Sequence, residues 1–388
     1  MNLSLYRHNL LEVTTVLIAW LIAGAAIGCS SGVNFPEPVT IHSAGGQRML
    51  AYDTDHDNQP DFWQYQNAAG RKHAIAYAAD DLAEPALPIE LDNIDATTCP
   101  HFMMVLDGVP FELVEELYQS GHFRFFHPPA RVICCYPGMT DLALADLFHT
   151  NSCNAFQALY FDRQSKQLTG GSSAYLDAVN SPWVSHVDYR CSFWWDALVY
   201  LDPQAVFDHE LRGMLRTFRA RDAGEARAYS VGTAGLGTRG GREAILKYLR
   251  TVDRLCEQII HERRGQVKLT LTADHGHNLT PNHKISFRKT LAAGGYRQSK
   301  SLRRPNDVVV VPYGLVTCAE FYTADPASVA ECLLGHEAVE LACYPTLISI
   351  RLGSKHFDLV VRDRHGQAVV TQTPNGFHYD SSHGDPLH

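Results

Sequence analysis

The chain has 388 residues, 45% of them apolar and 19% charged, and its net charge of −9 is spread over both signs. That is ordinary globular composition, with length for one large domain and an appendage. With no basic block, nucleic acid is not expected as a partner, whereas nucleotides and other small phosphate esters, which local groups can bind, stay open.

The first 29 residues read as a targeting segment. "MNLSLYRHNLLE" carries Arg7 and His8, Val13 to Gly28 is almost wholly apolar, and small residues in "AAIGCSSG" surround Cys29. The segment resembles a lipoprotein export signal, in which Cys29 is lipidated and anchors an exported protein at the membrane, in the periplasm or on the cell surface. An uncleaved anchor is the alternative, but the short apolar core suits a signal better than a stable span. Residues 30–48, rich in Gly, Ser and Pro, read as a linker.

Residues 49–95 are expected to form a small β module around an acidic loop, "YDTDHDNQPDFWQY". Asp53, Asp55, Asp57 and Asp61 place carboxylates at alternate positions, a pattern that converges on calcium in tight polar loops. Asn58 stands where such loops carry glycine, and Gln64 where they carry a bidentate glutamate. A solvated acidic turn between two strands is the competing reading.

From residue 96 to 388 the chain reads as one α/β domain. "HFMMVLD" is an apolar run ending in Asp107, and "FELVEELYQSG" has helical spacing with a glycine stop. "RVICCY" reads as a buried run with Cys134 and Cys135 in the core. "TDLALADLFH" reads as a helix capped by Thr140 or Asp141. "ARAYSVG" is a third strand-like run, apolar residues at 245, 246, 249, 252, 255, 259 and 260 mark a helix, and "VKLTLTAD" alternates up to Asp274. This alternation predicts a mostly parallel sheet flanked by helices. Between them, residues 155–225 hold many aromatics, among them Trp183, Trp194, Trp195 and Tyr200, which read as the wall of a cleft or the core of an insertion. Residues 307–380 read as an α+β subdomain. Ten cysteines leave nine besides Cys29, an odd number that excludes complete intramolecular pairing, and no CxxC pair offers a cysteine zinc site.

Open α/β sheets bind ligands beyond the carboxyl ends of their strands. Asp107 with Gly108, Thr140 after "CCYPGM", and Asp274 with His275 all fall there. Two carboxylates, an imidazole and a hydroxyl at a helix N-terminus suit a divalent cation and a phosphate ester. The ordered motifs "VLDG", "YPGMT" and "TADHGH" resemble the alkaline phosphatase superfamily, nearest its nucleotide pyrophosphatase/phosphodiesterase branch. The resemblance spans roughly residues 100–280. It implies a zinc site of Asp107, Thr140, Asp274 and His275, with Thr140 as nucleophile and a small phosphate ester as substrate. The family's second metal site takes an Asp and a His spaced D-x-x-x-H, but the matching positions here hold Ala234 and Thr238. Its late histidine corresponds to His378 or His383, and because the chain stops five residues after His383, a C-terminal part of that fold is expected to be missing.

One cation can activate Thr140, but two clamp both the attacking and the leaving oxygen. The expectation is therefore a metal-dependent phosphoesterase impaired at its second site, with a non-catalytic surface protein binding a phosphate ligand or a protein as the alternative. An adhesion protein built on the acidic loop is a third reading. "GLGTRG", residues 235–240, matches a dinucleotide fingerprint, but Asp274 lies too far along for the ribose contact, and the run reads as a loop. His277, the pair Asp208 and His209, and the pair His186 and Asp188 read as polar surface groups.

Overall fold

Short polar turns join the first strands of the chain into an antiparallel meander. β1 (Thr40–Ala44) and β2 (Gln47–Tyr52) meet at Gly45 and Gly46, whose φ angles of 58° and 78° only glycine adopts without strain. β3 (Phe62–Gln66), β4 (Lys72–Ala79) and β5 (Leu82–Pro85) follow in order, and β6 (Ile89–Glu90) also pairs with β4. Connections this short cannot supply the crossover that a parallel pair requires. The computed structural model describes residues 31–79, 82–151, 159–170, 181–280, 283–311, 317–346 and 358–387. The expected export segment and Cys29 lie outside them. The expected linker, 30–48, is in part ordered structure. It contains β1 and the start of β2, Phe35 is buried against Tyr52, Phe62, Ile75 and Ile260, and the Asn34 amide donates to Gln258 at 3.0 Å.

The described chain divides into two units, residues 1–152 with 181–281, and residues 153–180 with 282–388. In the first, β7 (His101–Leu106) leads into α1 (Phe111–Gln119) and α2 (Thr140–Leu147). A hairpin of the second unit intervenes, β8 (Leu159–Asp162) and β9 (Gln167–Gly170). The first unit resumes with α3 (Phe193–Leu198), α4 (Pro203–Arg219), β10 (Glu225–Ser230), α5 (Gly232–Glu262) and β11 (Lys268–Thr272). β10 and β11 flank β7 in a three-stranded parallel sheet, with Tyr229 beside Val105 and Ser230 beside Leu106. On one face Phe102 and Met104 pack with Leu113 and Leu117 of α1, Phe207 and Phe218 of α4, and Ile245 and Leu249 of α5. On the other, Val105 and Tyr229 meet Leu144 of α2 and Trp183. Full burial of each such side chain is worth about 1.5–3 kcal/mol, so both faces hold the sheet's edge in place. Lys72 and Glu257 form a buried ion pair that fixes β4 to α5.

The expected large, mostly parallel sheet flanked by helices is not formed. "RVICCY" contributes no strand, because Val132 and Ile133 are 82% and 93% exposed. Pro128, Pro129 and Pro137 bracket the run, and proline offers a ladder no donor. Cys134 and Cys135, expected in the core, are half-buried thiols. Most other strands are joined by short turns and pair antiparallel. Among the described residues, parallel ladders are confined to this small sheet and the short β12–β13 pair of the second unit.

That second unit continues with α6 (Arg288–Ala293), β12 (Arg297–Ser299), β13 (Asp307–Val311) and β14 (Glu320–Thr323). α7 (Pro326–Leu334) precedes an antiparallel sheet of β15 (Ala342–Pro345), β16 (Asp358–Arg362), β17 (Gln367–Thr373) and β18 (Gly376–His383). Leu291, Val308, Val329 and Leu333 form its core. No helix among the described residues is long and apolar enough to cross a membrane.

Candidate metal centre

Three segments converge beyond the carboxyl end of the parallel sheet. Asp107 directly follows β7, Asp274 lies just past β11, and Thr140 opens α2. Asp107, Asp274 and His275 present ligand atoms that all lie within 4.8 Å of one another. Thr140 Oγ1 is 3.3 Å from His275 Nε2 and 3.5 Å from Asp107 Oδ2.

Each group is held by identifiable bonds. The Thr233 hydroxyl donates to the Asp107 carbonyl at 2.7 Å, and the Tyr229 phenol donates to Asp107 Oδ2 at 2.5 Å. Asp274 Oδ1 accepts the amides of Gly108 at 3.1 Å and His275 at 2.8 Å. Gly108 makes the turn at φ 67°, where a side chain would be strained. His275 Nδ1 faces the Gly276 carbonyl at 2.9 Å and so carries the proton. Nε2 is left with a lone pair directed at Asp107 Oδ1 and Asp274 Oδ2, each 3.5 Å away. A carbonyl that fixes the tautomer in this way is the usual support of a metal-binding imidazole.

Asp274 Oδ2 is buried and accepts no hydrogen bond, a costly state for a carboxylate oxygen. Burial pushes the Asp107 carboxyl well above the usual range, with the Asp274 charge adding to it. Burial also pushes Asp274 up, against the opposing pull of His275 and the two amides. Two buried carboxylates, a lone-pair imidazole and an unbonded oxygen fit a divalent cation.

Ala234 and Thr238, which the sequence resemblance aligns with a second metal site, lie in the first turns of α5, because "GTAGLGTRG" is helical rather than the expected loop. It ends at Gly241, whose φ of 63° and ψ of −153° break the helix. The glycines serve packing. A Cβ on Gly235 would sit 2.3 Å from the Val199 carbonyl oxygen, and one on Gly232 would sit 2.7 Å from Glu210 Oε2. Ala234 is buried, and the Thr238 hydroxyl lies 3.2 Å from His277 Nε2. His277 Nδ1 accepts the Leu279 amide at 2.8 Å, which leaves the proton on Nε2, facing Thr238. Read from sequence as a surface group, His277 is instead bonded on both nitrogens, and burial lowers its pKa.

His378 and His383 both lie on β18, in the second unit, opposite Thr371 and Gln367. In the acidic loop, Asp53, Asp55 and Asp57 bring ligand atoms within 4.8 Å, whereas Asp61 binds the Thr54 amide at 2.7 Å. Asp53 already accepts the amides of Asp57 and Asn58, at 3.2 and 3.0 Å, and Asp57 accepts that of Gln59 at 2.8 Å. His56 and Asn58 complete the turn at φ 66° and 69°. His209 stacks on Trp195 at 4.1 Å, His186 stacks on Phe148 at 6.0 Å, and Asp188 pairs with Arg221. His186, Asp188, His209, His378 and His383 join no metal cluster among the described residues, whereas Asp53, Asp55 and Asp57 form an acidic group that could hold one.

Tyr229 is the residue that sequence reasoning passes over, and Trp183 reads from sequence only as the wall of a cleft or the core of an insertion. A tyrosine within "ARAYSVG" looks like any strand residue, and only the register with β7 turns its phenol onto Asp107. No family model, curated protein or solved structure matches this chain.

Proposed function

We propose that the chain is a metal-dependent phosphoesterase acting on phosphodiester or pyrophosphate bonds. Asp107, Asp274 and His275 hold the cation, zinc in this reading, and Thr140 is the nucleophile. The observation that carries it is the convergence of these three ligand groups around the unbonded Asp274 Oδ2, with the Thr140 hydroxyl 3.3 Å from His275 Nε2. The sequence resemblance of the three motifs adds to that geometry. When bound, the cation supplies a lowered pKa for the hydroxyl and neutralises charge developing on the phosphoryl oxygens. The amides of Gly108 and His275 keep Asp274 fixed. Thr140 stands at the positive end of α2, to which a phosphoryl group is drawn. We place the protein at the membrane surface, exported and tethered through Cys29, on the N-terminal sequence.

A second reading, a non-catalytic protein that binds a phosphate ligand or a protein partner, is favoured by the Thr238–His277 contact. It occupies the positions where a second cation would need ligands. Losing that cation's charge stabilisation would cost several kcal/mol, about three decades or more in rate. Elemental analysis of zinc, with hydrolysis of bis(4-nitrophenyl) phosphate, separates the readings. About one zinc per chain is expected, with slow turnover that Thr140→Ala abolishes while the zinc stays bound. Zinc without turnover selects the second reading, and a chain that binds no metal removes the first.

A further inference from the structure

The two oxygens of Asp107 face different partners. Oδ2 accepts the Tyr229 phenol at 2.5 Å and faces the Thr140 hydroxyl at 3.5 Å, while Oδ1 faces His275 Nε2 at 3.5 Å. We propose that Tyr229 is a positioning residue for the metal centre, one that occupies Oδ2 of Asp107 and so offers the cation Oδ1 alone. The inference rests on Asp107, Asp274 and His275 being the ligands.

The phenol can do this because its own place is fixed. Tyr229 is buried on β10, level with Val105 of the neighbouring strand. Its ring meets Trp183 edge to face, 5.2 Å between centroids. Trp183 Nε1 in turn donates to Asp141 Oδ1 at 2.7 Å, and the Ser181 hydroxyl donates to the same oxygen at 2.8 Å. Asp141 is the residue after Thr140 in α2. One aromatic pair therefore braces both the carboxylate on the sheet and the helix that carries the hydroxyl. A partner that orients a ligand without touching the metal commonly governs affinity through the ligand's geometry. Without the phenol, both oxygens of Asp107 are free to turn toward the cation, and the coordination number rises.

The test is a Co2+ titration of the full chain, followed by visible absorption. Tyr229→Phe keeps the ring and removes only the hydroxyl. It is expected to weaken Co2+ binding by about ten- to a hundredfold and to lower the d–d band intensity, as higher coordination does. Trp183→Phe leaves the phenol but loosens its seat, and a smaller loss of about threefold is expected. It also serves as the test should Tyr229→Phe not fold. Wild-type affinity and spectrum in the folded variants overturn the inference while leaving the metal centre standing. A wild-type chain that binds no Co2+, or an Asp274→Ala variant that binds it as well as wild type, overturns the metal centre and the inference together.

Discussion

At the residue scale, Asp274 shows what the centre costs without a cation. Its Oδ1 is satisfied by two amides, but Oδ2 is buried beside Asp107 with no donor. In Asp274→Asn the carbonyl oxygen can keep both amides while the new NH2 turns toward the lone pair of His275 Nε2, 3.5 Å away. This removes one of two neighbouring buried charges. Under chelation the variant is expected to be about 1–2 kcal/mol more stable than wild type in urea melts, and to have lost metal binding. A less stable metal-free variant would show that the carboxylate is held for structure and not for a ligand. Glu210 makes the contrast. Burial pushes it up to about 7, yet it is fully bonded, accepting the Ser230 hydroxyl at 2.6 Å and the amides of Val231 and Gly232 at 3.0 Å each. It has no oxygen left for a cation and belongs to the framework.

At the element scale, α5 explains a motif that looked chemical. Gly232 and Gly235 let the helix lie against α4 and the segment after α3 at distances no side chain permits. Gly235→Ala would drive its Cβ into the Val199 backbone carbonyl, which cannot swing aside as a side-chain tip can. The expected loss is about 3 kcal/mol, the upper end for overpacking, read as a fall in the urea midpoint at unchanged slope. A neutral substitution would place the glycines in an open loop after all. The same close packing sets Ala234 beside Gly108 and Thr238 beside His277, so this element is a packing surface.

At the scale of the whole molecule, the chain is divided so that the candidate site belongs to one unit. Asp107, Thr140, Asp274 and His275 all fall within residues 1–152 and 181–281. The second unit has its own core around Leu291 and Val308. A chain of residues 31–152 joined by a short flexible linker to residues 181–281 is therefore expected to bind Zn2+ within about threefold of the full chain's affinity and to lose one thermal transition. Metal binding that disappears with the second unit would mean that residues 1–152 and 181–281 do not form the centre by themselves.

The sequence by itself singled out the residues of the candidate site and many of the elements. Helical spacing over residues 245–260 marks the body of α5, alternation before Asp274 marks β11, and Asp107, Thr140 and Asp274 stand out because each ends an apolar run or opens a helix. These are local signals, set by side-chain period. The expected cap is not among them, because Met139 holds the N-cap position of α2 and no side chain caps it, while Asp141 accepts from Ser181 and Trp183 instead. Tertiary structure decided what local signals cannot carry. It left "RVICCY" outside the sheet, since an apolar run becomes a strand only when another strand accepts its hydrogen bonds. It made "GLGTRG" a packed helix because Val199 and Pro203 lie against it. It turned Tyr229 onto Asp107 through the register of two strands more than a hundred residues apart in sequence. Pairing, register and contact across the fold are properties of two segments at once, and neither segment encodes them alone.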